Sequence, residues 1–134
     1  QKNLPVADQH LAAIGFCFGG TAALELARTG ADLAAVVSFH GGLSSPTPDD
    51  AKAIKAHVLA LHGADDPSVP PDEVAAFEAE MRAAKVDWQL VAFGNTVHSF
   101  TDVDANTPGR AQYNATSATR AYALMDTLFA EVFR

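Results

Sequence analysis

The chain has 134 residues, which is enough for one domain with a single hydrophobic core. Hydrophobic residues make up 49% of the sequence and charged residues 19%, a composition typical of a globular domain, and no apolar run approaches the roughly 20 residues that a membrane-spanning helix needs. The formal net charge of −7 argues against a nucleic-acid or anionic-membrane partner, because both favour a basic surface.

The first half of the chain alternates apolar runs with a helical segment. Leu11–Phe16 predicts a short strand that ends at a glycine-containing turn. Thr21–Arg28 is rich in alanine and leucine and predicts a helix, which Gly30 terminates. Leu33–Phe39 is continuously apolar and partly β-branched, which predicts a second strand, and Ser44–Asp50 after it is a polar loop.

The second half of the chain repeats this alternation. A short helix is predicted at Asp50–Lys55, and a third strand at Val58–Leu61. Pro70–Asp72 opens a helix, because proline is favoured at the first helical position, and Trp88–Phe93 predicts the fourth strand. The last helix is predicted from an apolar stripe at helical spacing, which consists of Ala121, Leu124, Met125, Leu128, Phe129 and Val132.

Unbroken apolar strands that alternate with amphipathic helices indicate an α/β domain, with a parallel sheet and helices on both of its faces. In such sheets, ligands bind beyond the carboxyl ends of the strands. The polar residues that follow the four predicted strands are Cys17, His40, the pair Asp65 and Asp66, and His98. We therefore expect these side chains to gather at one edge of the sheet.

The segment GFCFGG follows the first strand and carries the only cysteine of the chain. A dinucleotide-binding loop needs glycine where Cys17 stands, and a phosphate loop of the ATPase type needs lysine after Gly20. The pattern G-x-C-x-G instead resembles a nucleophile elbow, a sharp strand-to-helix turn, with sulfur in place of the usual serine oxygen. We expect this turn to exclude side chains at Gly15 and Gly19. The helix N-terminus favours a thiolate, and the backbone N–H of Phe18 is the predicted donor to an oxyanion.

An acid and a histidine follow the cysteine in the chain order that nucleophile elbows share. The segment LHGADDPSVP, after the third strand, offers Asp65 and Asp66, and the segment GNTVHSF, after the fourth, offers His98. A histidine can take the proton of a nucleophile when a carboxylate fixes its tautomer and stabilises the imidazolium. The order therefore predicts a triad of Cys17, one of the two aspartates and His98.

The segments AAIGFCFGGTAALELA, VVSFHGGL, LHGADDPSVP and HSFTD, with QYN before the last helix, resemble the dienelactone hydrolase family of α/β-hydrolases. The resemblance implies that Cys17 is the nucleophile, His98 the base and Asp66 the acid, because D-P-x-V-P begins at Asp66 as it does in the family's loop. It covers only the C-terminal part of the family's domain, from the nucleophile strand onward. We therefore expect residues 1–134 to form one partial α/β-hydrolase domain that lacks the N-terminal strands.

Two departures from the family bear on the substrate and on completeness. Family members that cleave dienelactone hold the substrate carboxylate with arginines, one of them four residues after the histidine. Asp102 occupies that position here and would repel an anionic substrate. The family's second oxyanion donor, and a glutamate that pairs with the resting cysteine, belong to the N-terminal part.

Two other histidines invite a metal or structural interpretation. His40 and His62 each precede a glycine at the end of a strand, and we expect both to hydrogen-bond the loop backbone. A metal site built from His40, His62, His98 and Asp66 lacks the close ligand spacing of known signatures. We therefore expect no metal and no cofactor.

Two functions are compatible with these residues. The first is hydrolysis of a small ester or lactone through an acyl-thioenzyme on Cys17, and the alternative is a non-catalytic or redox-reactive thiol protein on the same scaffold. The strand Leu11–Phe16 lacks a neighbour on one side, and Gln1–His10 is too short to form a parallel one. We therefore expect a second polypeptide, or self-association, to cover this edge.

The single cysteine and the first residue bear on where the protein acts. One cysteine cannot form an internal disulfide, so nothing indicates an oxidising compartment, and we expect a cytoplasmic protein. The chain begins with Gln1 instead of methionine, from which we expect a fragment or a processed chain, and an upstream targeting segment is not excluded.

Overall fold

The computed structural model describes residues 11–134, which form a four-stranded parallel sheet. The strands are β1 (Ala12–Phe16), β2 (Ala35–Phe39), β3 (His57–Gly63) and β4 (Trp88–Phe93). Their order in the sheet follows the chain, β1-β2-β3-β4, and each neighbouring pair is parallel. The expectation that Gln1–His10 adds no strand falls outside the described residues.

Helical segments connect the parallel strands, as a parallel sheet requires. The helix α1 leads from β1 to β2, a 3-10 helix leads from β2 to β3, and α2 leads from β3 to β4. A small antiparallel hairpin and a long helix, α3, follow β4. These segments are α1 (Phe18–Arg28), the 3-10 helix (Pro48–Ala53), α2 (Pro71–Ala83), the hairpin strands β5 (Asn106–Thr107) and β6 (Ala111–Gln112), and α3 (Ala115–Val132).

The helices cover both faces of the sheet, so the predicted fold class is confirmed. Successive residues of β2 point to opposite faces: Val36 packs in a core with α1 and α2, whereas Val37 packs in a core with α3. All of β2 is buried, and so is β3 apart from His57, which explains why both strands read as continuous apolar runs. The first core includes Leu24, Val58, Phe77 and Met81, and the second includes Phe39, Leu59, Leu61, Ala121 and Leu128.

Each helix end has a local cause in the sequence. Gly30 follows α1 with a φ of 84°, a left-handed conformation that glycine adopts without strain. Pro71 is the first residue of α2, where its missing N–H leaves no helical bond unmade. At the start of α3, the Asn114 side chain accepts a hydrogen bond from the Ser117 N–H at 3.1 Å.

The strands β1, β2 and β3 begin and end within two residues of their predicted bounds, and three details of the helices and the hairpin differ from the sequence predictions. The helix α1 begins at Phe18 rather than Thr21, because the glycines of the elbow already lie in its first turn. The helix predicted at Asp50–Lys55 is a 3-10 helix two residues earlier, at Pro48–Ala53, where proline sets the first turn. The β5–β6 hairpin was not predicted, because two-residue strands carry no detectable periodicity.

Among residues 11–134, no helix is both long and apolar enough to span a bilayer.

Candidate active site

Cys17 occupies the turn between β1 and α1. Its φ of 54° and ψ of −123° lie in a region that residues with a side chain rarely adopt. The Cys17 N–H donates to the Phe39 carbonyl at 3.0 Å, and the Cys17 carbonyl accepts from the Gly20 N–H at 2.9 Å. Such strain costs about 1–3 kcal/mol and persists only where surrounding contacts enforce it. The turn presents the sulfur at the N-terminus of α1.

Two glycines make this turn possible. A Cβ atom on Gly15 would collide with the Gly19 carbonyl, and a Cβ atom on Gly20 would collide with the Ser38 hydroxyl. The position of a Cβ on Gly19 is open, so the prediction that the turn excludes a side chain at Gly19 is wrong. The steric requirement falls instead on Gly15 and Gly20, where β1 and β2 contact the first turn of α1.

The sulfur of Cys17 has two polar neighbours, His40, which the sequence placed at this edge of the sheet without a role at the sulfur, and Ser99, which the sequence analysis did not single out. His40 Nδ1 lies 3.3 Å from Cys17 Sγ, and Ser99 Oγ lies 3.2 Å from it. The other ring nitrogen of His40, Nε2, lies 2.8 Å from Thr101 Oγ1. Like Cys17, both His40 and Ser99 have a positive φ, 43° and 57° respectively. Three strained residues therefore meet at one sulfur, as is typical of functional sites.

His40 is a neutral ring inside the site. It is only 2% exposed, and its ring packs edge-on against His98 with centroids 5.5 Å apart. Burial lowers the pKa of His40 to about 4, and the charge of His98 acts in the same direction. A neutral imidazole has one proton for its two nitrogens, so His40 donates to one of Thr101 and Cys17 and accepts from the other.

The prediction that His40 and His62 hydrogen-bond the loop backbone is wrong for His62 Nδ1, and for His40 it misses the side-chain contacts, which its ring makes besides a hydrogen bond with its own backbone. The ring of His40 contacts side chains, as its φ turns it toward the sulfur. His62 lies on β3 with its Nδ1 buried, and this atom has no hydrogen-bond partner within residues 11–134. Burial lowers the pKa of His62, so its ring is also neutral.

His98 lies against Asp66 rather than Asp65. His98 Nδ1 is 2.8 Å from Asp66 Oδ2, and Asp66 Oδ1 accepts a hydrogen bond from the Ser68 N–H at 2.8 Å. The Asp66 side chain is fully buried, whereas Asp65 is exposed. Burial alone would raise the pKa of Asp66, but its hydrogen bonds with His98 and Ser68 together lower it. The hydrogen bond with Asp66 also raises the pKa of His98, against the opposing effect of burial.

The described strands bring Cys17, His40 and His98 together at their carboxyl ends. Cys17 Sγ and one ring nitrogen of each histidine lie within 4.8 Å of one another. Because His98 Nδ1 faces Asp66, its Nε2 is the nitrogen left for other partners. Phe18 is the first residue of α1, so its N–H has no acceptor inside the helix. A thiol, an imidazole paired with a buried carboxylate, and the first backbone N–H of a helix thus lie at the same end of the sheet.

Ser99 and Thr101 were missed because their roles depend on side-chain direction. Both follow His98 in HSFTD, and that proximity was the only available signal. Asp102, on the same loop, is exposed, and its charge opposes the low pKa of His40. The loop that carries Ser99, Thr101 and Asp102 therefore brings a negative charge near His40.

A separate cavity of about 430 Å³ lies at the opposite, amino end of the strands. Its lining includes Asp32, Lys55, His57 and Glu131, and none of the residues around Cys17. Small-molecule sites are mostly apolar with few polar groups, whereas this lining is highly charged. The cavity therefore does not compete with the cysteine as the candidate active site.

A parallel α/β sheet with a strained cysteine between its first described strand and helix defines an α/β-hydrolase-like domain. The chain belongs to the dienelactone hydrolase family, whose model matches residues 1–133. The predicted resemblance is thus confirmed, and membership of this family supports a hydrolase.

Three relatives illustrate the match. The structure of m3DLH has a TM-score of 0.91 and 47% identity, over 98% of this chain and 56% of that one. A dienelactone hydrolase-like promiscuous phosphotriesterase from metagenomic libraries has a TM-score of 0.83 and 50% identity, over 90% of this chain and 52% of that one. The chain thus spans about half the length of both structures. An uncharacterized protein of Caenorhabditis elegans is 35% identical over 126 residues, which are 90% of this chain and 80% of that protein.

Proposed function

We propose that this chain carries the catalytic triad of a carboxylic ester or lactone hydrolase, with Cys17 as nucleophile, His98 as base and Asp66 as acid. The observation that carries the proposal is the pairing of His98 Nδ1 with the buried Asp66 carboxylate at 2.8 Å, beside a sulfur at a helix N-terminus. The carboxylate fixes the tautomer that leaves His98 Nε2 free to accept a proton.

Acylation begins when His98 takes the thiol proton of Cys17. The thiolate adds to the substrate carbonyl, and the Phe18 N–H donates a hydrogen bond to the resulting oxyanion. The intermediate collapses to a thioester on Cys17, and the leaving alcohol takes the proton from His98. For a lactone, this alcohol stays attached to the acyl group.

Deacylation uses the same histidine in the same two roles. His98 removes a proton from water, and the hydroxide adds to the thioester carbonyl. Collapse releases the carboxylic acid, and the sulfur recovers its proton from His98. The contacts of Cys17 with His40 and Ser99 describe the resting sulfur, and it must move from them toward a His98 ring nitrogen that lies within 4.8 Å.

The test is an assay with p-nitrophenyl acetate combined with intact-mass spectrometry. We expect an acetyl adduct that forms on Cys17, disappears on turnover and is absent from Cys17→Ala. His98→Ala should lose several orders of magnitude in acylation rate. His57→Ala is the matched control, because His57 lies at the other end of β3. Oxidation of Cys17 without any acetylation would favour the redox-reactive thiol instead.

The similarity to a phosphotriesterase favours a second substrate class, the neutral phosphotriesters. Such substrates carry no charge, and the negative charge of Asp102 would not repel them. The same thiolate would attack phosphorus, with the Phe18 N–H toward the phosphoryl oxygen, and the leaving alcohol would take its proton from His98. Water activated by His98 would then break the sulfur–phosphorus bond, which releases the phosphodiester and the thiol. A p-nitrophenyl phosphotriester that releases p-nitrophenol in the native chain, and not in Cys17→Ala, would support this activity.

A further inference from the structure

The site holds more metal-binding atoms than the triad uses. Cys17 Sγ and one nitrogen from each of His40 and His98 lie within 4.8 Å of one another. The three residues follow three different strands. Cys17 and His40 are 23 residues apart along the chain and His40 and His98 are 58 apart, so sequence spacing did not indicate a metal site. One thiolate and two imidazoles are a ligand set that selects zinc over magnesium or calcium, which prefer oxygen ligands.

We propose that Cys17, His40 and His98 form a binding site for Zn²⁺. The thiol of Cys17 releases its proton to solvent, the thiolate and the two neutral imidazoles bind the ion, and water completes a tetrahedral set. In such a set, donor atoms lie about 3.3–3.6 Å from one another. The pair Cys17 Sγ and His40 Nδ1 is already 3.3 Å apart. The His98 nitrogen lies within 4.8 Å of the other two donors, so a side-chain movement of about 1 Å brings it to that spacing.

Each histidine has a hydrogen-bond partner on the ring nitrogen that would not bind zinc, as metal-binding histidines usually do. Asp66 holds His98 through Nδ1 at 2.8 Å, and Thr101 holds His40 through Nε2 at 2.8 Å. A carboxylate or hydroxyl on the far nitrogen fixes the ring and increases its strength as a ligand. The nearby carboxylates of Asp66 and Asp102 favour a cation at this position.

The consequence for activity rests on the proposed function. A zinc ion on Cys17 and His98 occupies both the nucleophile and the base, so Zn²⁺ should inhibit ester hydrolysis until a chelator removes it. Binding itself has a readout that needs no substrate. If the protein is not a hydrolase, the binding measurement still shows whether these three residues bind a metal ion.

The test is titration of the reduced chain with Co²⁺, a spectroscopic substitute for Zn²⁺. Because the chain has one cysteine, a sulfur-to-cobalt charge-transfer band reports on Cys17 alone. We expect one equivalent of Co²⁺ to produce this band together with tetrahedral d–d bands, and Zn²⁺ to displace it. Cys17→Ser should abolish the band, and His40→Asn should weaken binding by more than about 100-fold.

Two further variants test the proposal if circular dichroism shows that His40→Asn does not fold. Thr101→Val removes only the hydroxyl behind His40 and should weaken Co²⁺ binding about 10–100-fold. His57→Gln, at the opposite end of β3, should leave the affinity unchanged. Absence of the sulfur-to-cobalt band, or a folded His40→Asn or Thr101→Val variant with undiminished affinity, would overturn the proposal.

Discussion

Two adjacent aspartates show how backbone direction decides function at the scale of a residue. Asp65 and Asp66 are chemically identical, yet Asp66 is buried against His98 and Asp65 faces solvent. The difference arises in the turn after β3, where the Asp66 N–H donates to the Gly63 carbonyl at 3.1 Å. Only Asp66 can therefore fix the histidine tautomer.

The first prediction compares the substitution of each aspartate by asparagine. Asp66→Asn keeps the shape of the side chain but lets the wrong tautomer of His98 form, so kcat/KM for p-nitrophenyl acetate should fall roughly 10³–10⁴-fold. Asp65→Asn should stay within about twofold of the native value, because exposed substitutions away from the site change little. Equal losses in the two variants would contradict the assignment of Asp66.

The sequence predicted the candidate residues of the site and the pairing of His98 with Asp66, but not the contacts of the Cys17 sulfur. Cys17, Asp66 and His98 follow the ends of predicted strands, and a parallel sheet brings strand ends together whatever the details of the loops. The contacts of His40 and Ser99 with the sulfur depend on positive φ values at non-glycine residues. Local propensity argues against such conformations, and only the folded surroundings enforce them.

At the scale of elements, the turn from β1 to α1 has steric requirements that apolar periodicity does not reveal. Helices and strands followed from apolar periodicity, since burial on a sheet face leaves a clear pattern. The glycine requirement did not follow, because it depends on which atoms of α1 face β1. Gly15 and Gly19 look equivalent in GFCFGG, yet only Gly15 faces backbone atoms at contact distance.

The second prediction tests this asymmetry by chemical denaturation. Gly15→Ala places a methyl group against the Gly19 carbonyl, which cannot move without distorting α1, so the free energy of unfolding should fall by about 3 kcal/mol. Gly19→Ala meets open space inside a helix and should be neutral or stabilising by up to about 1 kcal/mol. A larger loss for Gly19→Ala than for Gly15→Ala would refute the steric account.

A buried ion pair ties α1 to α2 on one face of the sheet. Arg28 is 4% exposed, and its Nε and Nη2 donate to the two carboxylate oxygens of Glu80 at 2.7 and 2.9 Å. Glu25 also accepts from Arg28, at 2.6 Å. Buried charges of this kind are costly when one partner is missing, although the intact pair adds little over apolar packing.

The third prediction is a double-mutant cycle on this pair. Arg28→Met leaves the Glu80 carboxylate buried without its cation and should destabilise the fold by about 3–5 kcal/mol. Adding Glu80→Leu should recover most of that loss, because apolar residues of similar size replace a buried pair without penalty. Arg82→Met, at an exposed position of α2, is the control and should have little effect. Additive losses in the double variant would show that the two side chains are not coupled.

At the scale of the whole molecule, the two edges of the sheet differ in character. Both β1 and β4 have one neighbour within the described residues. On and beside β1, Ile14 is 44% exposed, Phe16 42% and Phe18 84%, whereas the exposed surface of β4 includes the polar Gln89. An edge strand with exposed apolar side chains is a template for pairing with another strand.

The last prediction concerns that edge. We expect the purified chain to associate through β1, because pairing supplies partners to an edge that has no strand neighbour within residues 11–134 and buries Ile14 and Phe16. Size-exclusion chromatography with light scattering should give a mass of at least twice the 14.0 kDa of one chain, unless a second polypeptide identified by mass spectrometry occupies the edge. Ile14→Lys should shift the protein toward monomer, since a charged residue on an edge strand opposes pairing, whereas Gln89→Lys on β4 should not. A stable monomer at micromolar concentration, or equal effects of the two lysine substitutions, would show that β1 is not an interface.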